Sequence, residues 1–271
     1  MDQFTRDGLT FDLRDGGPPA GDPVLLLHGF PQGNECWDDV APRLHTQGLR
    51  TLAPDLRGYS PRARPTARSA YRLSEAVKDV LALLDSAGLP AAHIVGHDWG
   101  GSVAWLVAGH HPDRVRSLTV LSTPHSKAFA RALRNPAQLL QWWYMLVFQL
   151  PLVPDRLLPR TMRGPLVKSG LPAEYAARYT GRMSRPGAMT GALNWYRAIP
   201  WSVREPTAVC HVPTTYVWGH NDPALRRAAA EQTAQYVHAS YRFVELDAGH
   251  WLPETQPDVV ADLIVDRIAG A

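Results

Sequence analysis

The order in which apolar runs follow one another constrains this chain most. Val24–Leu27 is a short, continuous apolar run and Arg50–Ala53 a second, as expected for strands buried on both faces. A helical stripe of Ala76, Val77, Val80, Leu81 and Leu84 follows within Ser74–Ser86, and Gly88 ends it. His93–Val95 reads as a strand, a helix runs from the glycines at 100 and 101 to about His110, and Val115–Leu121 is another strand. Strand and helix in alternation imply a parallel sheet with helices on both faces. From 124 to 212 the alternation stops, and a stretch rich in Arg, Pro, Trp, Tyr and Leu reads as several short helices. It resumes with Thr214–Trp218 as strand, Ala224–Val237 as helix, Tyr241–Leu246 as strand and Asp258–Ile268 as helix. The expected fold is therefore α/β, with a mostly parallel central sheet. Residues 1–123 and 213–271 would form the core domain and 124–212 an inserted all-helical cap, a size that 271 residues accommodate.

Composition removes several function classes. Hydrophobic residues make up 45% and charged residues 20%, which suits a packed core and not a disordered chain. The net charge of +3 is too small to favour a nucleic-acid partner. The densest basic run, Arg62, Arg64, Arg68 and Arg72, reads as a solvated loop and helix start. Cys36 and Cys210 have no metal-ligand spacing around them and suit a reducing cytoplasm. The N-terminus has no apolar core of a signal peptide. The most apolar stretch, Leu139–Val153, is interrupted by Gln141, Gln149 and Pro151 and is too short to span a bilayer.

The chemistry concentrates where strands end. Gly96-His97-Asp98-Trp99-Gly100, between a strand and a helix, has the form of a nucleophile elbow: small residues allow a sharp turn that pushes one side chain out above the sheet. The residue so placed is Asp98, and this selects the reaction. A serine alkoxide attacking a saturated carbon would leave an ether that water does not readily cleave, whereas a carboxylate leaves an ester that water can hydrolyse. Activating that water needs a base, and His250 stands in Ala248-Gly249-His250-Trp251 directly after the last strand. Asp222, in Gly219-His220-Asn221-Asp222-Pro223 past the preceding strand, is placed to orient it. The oxyanion of ester hydrolysis needs N–H donors. Phe30, in His28-Gly29-Phe30-Pro31 after the first buried strand, and Trp99 in the elbow can supply them from the backbone.

With these motifs in this order, the chain resembles the α/β-hydrolase superfamily, and within it the soluble epoxide hydrolase branch, from about residue 20 to the end. The resemblance is carried by His28-Gly29-Phe30-Pro31, Arg57-Gly58-Tyr59, Gly96-His97-Asp98-Trp99-Gly100-Gly101, Asp222 and Gly249-His250-Trp251. It implies a helical cap holding two tyrosines for the epoxide oxygen. The matching positions are Tyr144, four residues before Phe148-Gln149, and Tyr196 in Asn194-Trp195-Tyr196-Arg197. His28, Pro31, Trp143, Phe148, Trp195 and Trp251 would line the substrate site.

The function so implied opens an epoxide to a vicinal diol with no metal or cofactor. Its partners would be a small hydrophobic epoxide and water, with no membrane span and with room for a homodimer. Two alternatives stand beside it. One is a haloalkane dehalogenase with the same Asp98-His250-Asp222 triad, although Phe30 occupies the slot of the usual second halide donor. The other is a hydrolase-fold protein that binds ligands without turnover.

Overall fold

The computed structural model describes residues 1–132 and 143–271, without the Trp143 side chain. Its strands are β1 (Gln3–Arg6), β2 (Leu9–Gly16), β3 (Asp22–Leu27), β4 (Leu49–Pro54), β5 (Ala92–His97), β6 (Val115–Leu121), β7 (Thr214–Gly219) and β8 (Tyr241–Leu246). They form one sheet in the order β1-β2-β4-β3-β5-β6-β7-β8. From β4 to β8 every pairing is parallel, and β1 and β2 add an antiparallel edge.

The sheet centre follows from its residues. Val24, Leu25, Leu26 and Leu27 have no solvent exposure, and neither do Ile94, Leu118, Val120 and Leu121. Helix Trp99–His110 presses Val103, Ala104 and Val107 against this layer, and helix Leu73–Ser86 adds Val80, Leu83 and Leu84. The alternation of apolar strands and striped helices thus gives a core covered on both faces.

Two elements differ from the sequence reading. The β1–β2 hairpin was not expected: only Phe4, Phe11 and Leu13 face inward among charged neighbours, too weak a pattern to stand out. Arg6 fastens it to helix Leu73–Ser86 through Glu75 at 2.6 Å and Asp79 at 2.9 Å. The helix expected at Ala224–Val237 is shorter, running Arg227–Gln232 and tightening into a 3-10 turn at Thr233–Tyr236. The cause is local. Asp222 Oδ1 accepts the Ala224 and Leu225 N–H groups and closes a separate turn first.

Between β6 and β7 the described residues contain helices and no strand: Ser126–Ala132, Trp143–Gln149, Val153–Thr161, Arg163–Lys168, Ala173–Met183, Ala188–Arg197 and Ile199–Ser202. Helix Ala173–Met183 buries Tyr175, Ala176, Tyr179 and Met183, one side of its turns. Strand register sets the rest. Leu27 lies beside Gly96, His97 beside Leu121, and Gly219 beside Leu246. The segments carrying His28, Asp98, Asp222 and His250 therefore leave the sheet along one edge, the carboxyl ends of its parallel strands, where open α/β sheets place their ligands.

Candidate active site

β5 ends at His97 and the next helix begins at Trp99, so Asp98 takes the whole turn, with φ 51° and ψ −119°. A non-glycine residue there costs on the order of 1–3 kcal/mol and persists only where its surroundings enforce it. Two glycines make the enforcement possible. A Cβ on Gly100 would lie 2.2 Å from the Leu27 carbonyl oxygen, and a Cβ on Gly29 would lie 2.3 Å from the Asp98 Cβ. The helix start and the loop after β3 thus approach Asp98 as bare backbone.

That approach delivers donors. The Phe30 N–H donates to Asp98 Oδ1 at 2.8 Å, and the Trp99 N–H also bonds to the carboxylate. Burial raises the affinity of Asp98 for a proton, while the charge of His250 and the two N–H groups lower it. His250 Nδ1 donates to Asp222 Oδ2 at 2.8 Å, and its Nε2 faces Asp98 Oδ2 at 3.8 Å. Burial alone would strip the charge from His250. Asp222 outweighs it, with help from Asp98, and lifts the ring to about 9. The three side chains expected to work together are therefore brought together.

Residues of the helical insert lie over them. Helix Trp143–Gln149 supplies Tyr144 and Phe148, and helix Ala188–Arg197 supplies Trp195 and Tyr196. The Tyr196 ring is 5.4 Å from Phe30, 5.1 Å from Trp99 and 4.9 Å from Phe148, and Tyr144 stands 6.4 Å from Tyr196. Both tyrosines are pushed above the usual phenol range, first by burial and then by the negative charge of Asp98. Trp99 Nε1 is buried; it lowers the Tyr196 pKa without forming a well-aligned hydrogen bond.

The expected lining residues divide by what their polar atoms do. Trp195 donates to the Arg57 carbonyl at 2.7 Å, and Trp251 donates to Ser169 Oγ at 2.9 Å, so each ties helical insert to sheet domain. His28, expected against substrate, has no solvent exposure. Its Nε2 accepts the Leu56 N–H at 3.0 Å and its Nδ1 donates to the Gly29 carbonyl at 2.9 Å. With both nitrogens committed to backbone, it holds the donor loop instead. Pro31 is buried behind Phe30 in the same loop. The Trp143 side chain lies outside the described residues.

Two residues outside the expected set join the tyrosine-bearing helices. Gln149 Nε2 donates to the Tyr196 carbonyl at 2.7 Å. Arg197 donates to the Phe148 carbonyl at 3.0 Å, to the Leu150 carbonyl at 2.8 Å and to Asp155 at 2.5 Å. Their neighbours in Phe148-Gln149 and Tyr196-Arg197 carried the signal. The expected loop of cations is likewise partly structural, since Arg64 donates to the Gly58 carbonyl at 2.9 Å and the Pro186 carbonyl at 2.7 Å.

Comparison with known proteins agrees with this geometry. The alpha/beta hydrolase fold family matches residues 22–257. The chain is 35% identical to human "Epoxide hydrolase 4" over 95% of its own length and 75% of that protein. It is 32% identical to "Epoxide hydrolase A" of Mycobacterium tuberculosis over 97% of its length and 95% of the relative. Among solved structures, Epoxide Hydrolase A from Mycobacterium thermoresistibile superposes with a TM-score of 0.85 at 29% identity, covering 99% of this chain and 97% of that one. An elbow carboxylate, its histidine and acid, and two tyrosines above it, in a chain with these relatives, place the protein in the α/β-hydrolase fold family, on its epoxide hydrolase branch.

Proposed function

We propose that the protein hydrolyses a small hydrophobic epoxide to a vicinal diol, with residues 124–212 acting as the cap over Asp98. Asp98 attacks a ring carbon, the carbon–oxygen bond breaks, and the departing oxygen takes a proton from Tyr144 or Tyr196. The product of this step is a hydroxyalkyl ester. His250 then removes a proton from water, and the hydroxide adds to the Asp98 carboxyl carbon. The Phe30 and Trp99 N–H groups hold the oxyanion; as it collapses, His250 returns its proton to the departing diol oxygen, and the proton left on the Asp98 carboxyl goes back to the tyrosinate, restoring the resting site.

One observation carries this reading: an elbow carboxylate, Asp98, faces His250 Nε2 at 3.8 Å with Tyr196 and Tyr144 lying above it, and after burial its charge is the next cause that raises both phenols. Esterification removes that anion. The tyrosines then give up a proton more readily as the alkoxide forms, and one of the charges that favour a proton on His250 is gone, Asp222 remaining the larger.

The test is an epoxide panel, from styrene oxide through fatty-acid epoxides to polycyclic ones, scored for diol. Turnover retained by Asp98→Ala would sink the mechanism. His250→Gln is expected to accumulate the ester, visible as a substrate adduct in intact-mass spectra; no adduct on a substrate that the unaltered enzyme turns over counts against it. A haloalkane dehalogenase reading has the poorly bonded Trp99 indole N–H in its favour. Halide release from chloro- or bromoalkanes without epoxide turnover would put it first. Among the described residues no helix is long and apolar enough to cross a membrane. The two buried, unpaired thiols Cys36 and Cys210 support a cytoplasmic location.

A further inference from the structure

The most apolar stretch of the sequence, Leu139–Val153, is too short to span a bilayer, and the reaction scheme uses only Tyr144 of it. Helix Trp143–Gln149 turns Tyr144 and Phe148 towards Tyr196, while Leu146 and, just past the helix end, Leu150 face outward. Helix Val153–Thr161 repeats the division. Pro154 is buried and Asp155 is held by Arg197, whereas Val153 and Leu157 lie in solvent, and Leu152 stands at the turn between the two helices. These five side chains, Leu146, Leu150, Leu152, Val153 and Leu157, are 51% to 75% exposed. Outside the insert, the exposed large apolar residues among the described ones are Met1 and Val259.

Cations follow the apolar side chains. Arg156 and Arg160 are exposed on helix Val153–Thr161, at the three- and four-residue spacing that puts them on the same outer side as Val153 and Leu157. The next helix, Arg163–Lys168, exposes a cation at each end. The single acid within residues 143–173 is Asp155, and it is turned inward to Arg197 at 3.0 Å. None of the four cations has a carboxylate partner among the described residues. Residues 143–173 thus carry a surplus of three positive charges, equal to the net charge of the whole chain.

Leucines flanked by unpaired cations need an occupant that offers both hydrocarbon and negative charge. A second copy of this chain offers the first and not the second, since a two-fold contact through this face would set four cations against four. A nucleic acid offers the charge and leaves the leucines in water. The surface of a bilayer containing anionic lipid offers both, and the cytoplasmic leaflet carries such lipid.

We propose that the outer face of helices Trp143–Gln149 and Val153–Thr161 docks on an anionic lipid surface, with the five apolar side chains entering the headgroup layer and Arg156, Arg160, Arg163 and Lys168 meeting the phosphates. The docking is peripheral: the apolar side chains form one layer, and among the described residues no helix is long and apolar enough to cross a membrane. It also bears on the substrate. Tyr144 and Leu146 lie on opposite sides of one helix, about 10 Å across, so an epoxide dissolved in the lipid is one helix diameter from the tyrosines. This second part rests on the epoxide hydrolase reading and narrows it to lipid-soluble epoxides, whereas the docking does not depend on it.

Vesicle flotation tests the docking with two compositions, phosphatidylcholine alone and phosphatidylcholine with about 30% phosphatidylglycerol. The protein should bind the anionic vesicles at least about tenfold more tightly, and most of that preference should vanish between about 0.05 M and about 0.5 M salt. Equal binding to both compositions, or binding to neither, overturns the proposal. The double variants Arg156→Gln with Arg160→Gln, and Leu152→Asn with Leu157→Gln, should each weaken anionic binding by about tenfold with the unfolding midpoint unmoved. Asparagine suits the left-handed backbone at Leu152, where φ is 66°. A leucine variant that binds as before reduces the contact to adsorption of a cation and overturns the docking. A dimer in sedimentation that the leucine variant dissociates also overturns it, because the face then belongs to a second copy. Both variants should keep the unaltered kcat/KM on a water-soluble epoxide and lose about tenfold on an epoxidised fatty acyl chain held in anionic vesicles. Equal rates there remove the link to substrate, and absence of any epoxide turnover removes the hydrolase reading, while vesicle binding decides the docking in either case. If a double variant does not fold, the lipid and salt dependence of the unaltered protein still decide.

Discussion

Asp98 shows how much one backbone angle can settle. Its left-handed φ leaves the side chain nowhere to point but above the strand ends, where Phe30 and Trp99 present N–H groups and two phenols wait. Because Tyr144 and Tyr196 both sit under the field of Asp98, each phenylalanine substitution should cost part of the proton delivery and not all of it. Tyr144→Phe and Tyr196→Phe are each expected to lower kcat on an aromatic epoxide by about 10²-fold, and the double variant should lose more than either. A double variant that still turns over at the unaltered rate would remove the tyrosines from the mechanism. Adduct formation by intact mass distinguishes the steps, since ester formation should slow in these variants while its hydrolysis is spared.

Among the elements, two pairings carry weight that no single residue suggests. Helices Trp143–Gln149 and Ala188–Arg197 are tied by Gln149 and Arg197, so the spacing of the two phenols depends on the insert's own polar atoms. Arg197→Met keeps the volume and deletes those donors. It should lower kcat/KM by about 10²-fold through misplaced tyrosines, and it should also lower the unfolding midpoint, because it strands the nearly buried Asp155. At the other end, Arg6 joins the hairpin to helix Leu73–Ser86. Burial works against the charge on Glu75, but bonds from Arg6, Lys78 and Arg72 outweigh it and bring the carboxyl down from 4.5 to about 2. A folded pKa below the unfolded one contributes stability above pH 4.5, and that contribution is lost as pH falls towards 2. Glu75→Gln should therefore narrow the stability difference between pH 5 and pH 2.5 in urea melts, and an unchanged difference would deny the cluster its role.

Legibility in the sequence followed the physics of each element. The parallel strands were readable because residues buried on both faces must be apolar without interruption, as in Val24–Leu27. The candidate triad could be placed because each member follows a strand in a short glycine-marked loop. The β1–β2 hairpin was not, since a one-sided edge ribbon needs only Phe4, Phe11 and Leu13. The work of His28 was misread because an imidazole in a loop motif looks the same whether it meets a ligand or two backbone groups. Gln32 and Glu254 left no signal of their own, because a polar residue that finds its partner far along the chain has no local spacing to betray it.

Over the whole molecule, the insert is held down by charge along one helix. On Ala173–Met183, Tyr175 meets Asp39, Arg178 meets Asp38 at 3.0 Å, Tyr179 meets Glu254, and Arg182 meets Glu35 at 2.8 Å and also Asp55. These contacts are unequal. Arg178 and Asp38 are 47% and 36% exposed, so solvent screens them and Arg178→Ala should cost under about 1 kcal/mol. Arg182 faces two carboxylates that are only 8% and 6% exposed, and Arg182→Met would strand both. That change should cost about 3–5 kcal/mol in chemical denaturation and raise amide exchange on the cap side of the interface. Equal costs for the two variants would contradict this ranking.

The aromatic ceiling has an optical consequence. Trp99 and Trp195 lie with ring centroids 5.6 Å apart above the nucleophile, and Trp251 stands edge-on to His250 at 5.1 Å. A protonated imidazole quenches indole emission at contact far more than a neutral one. On the proposed reading, Trp251 fluorescence should follow the protonation of His250, and Trp99 fluorescence should follow whatever enters beneath the tyrosines. The proposed two steps would thus each have an intrinsic dye beside them, readable in a stopped-flow trace with no label attached.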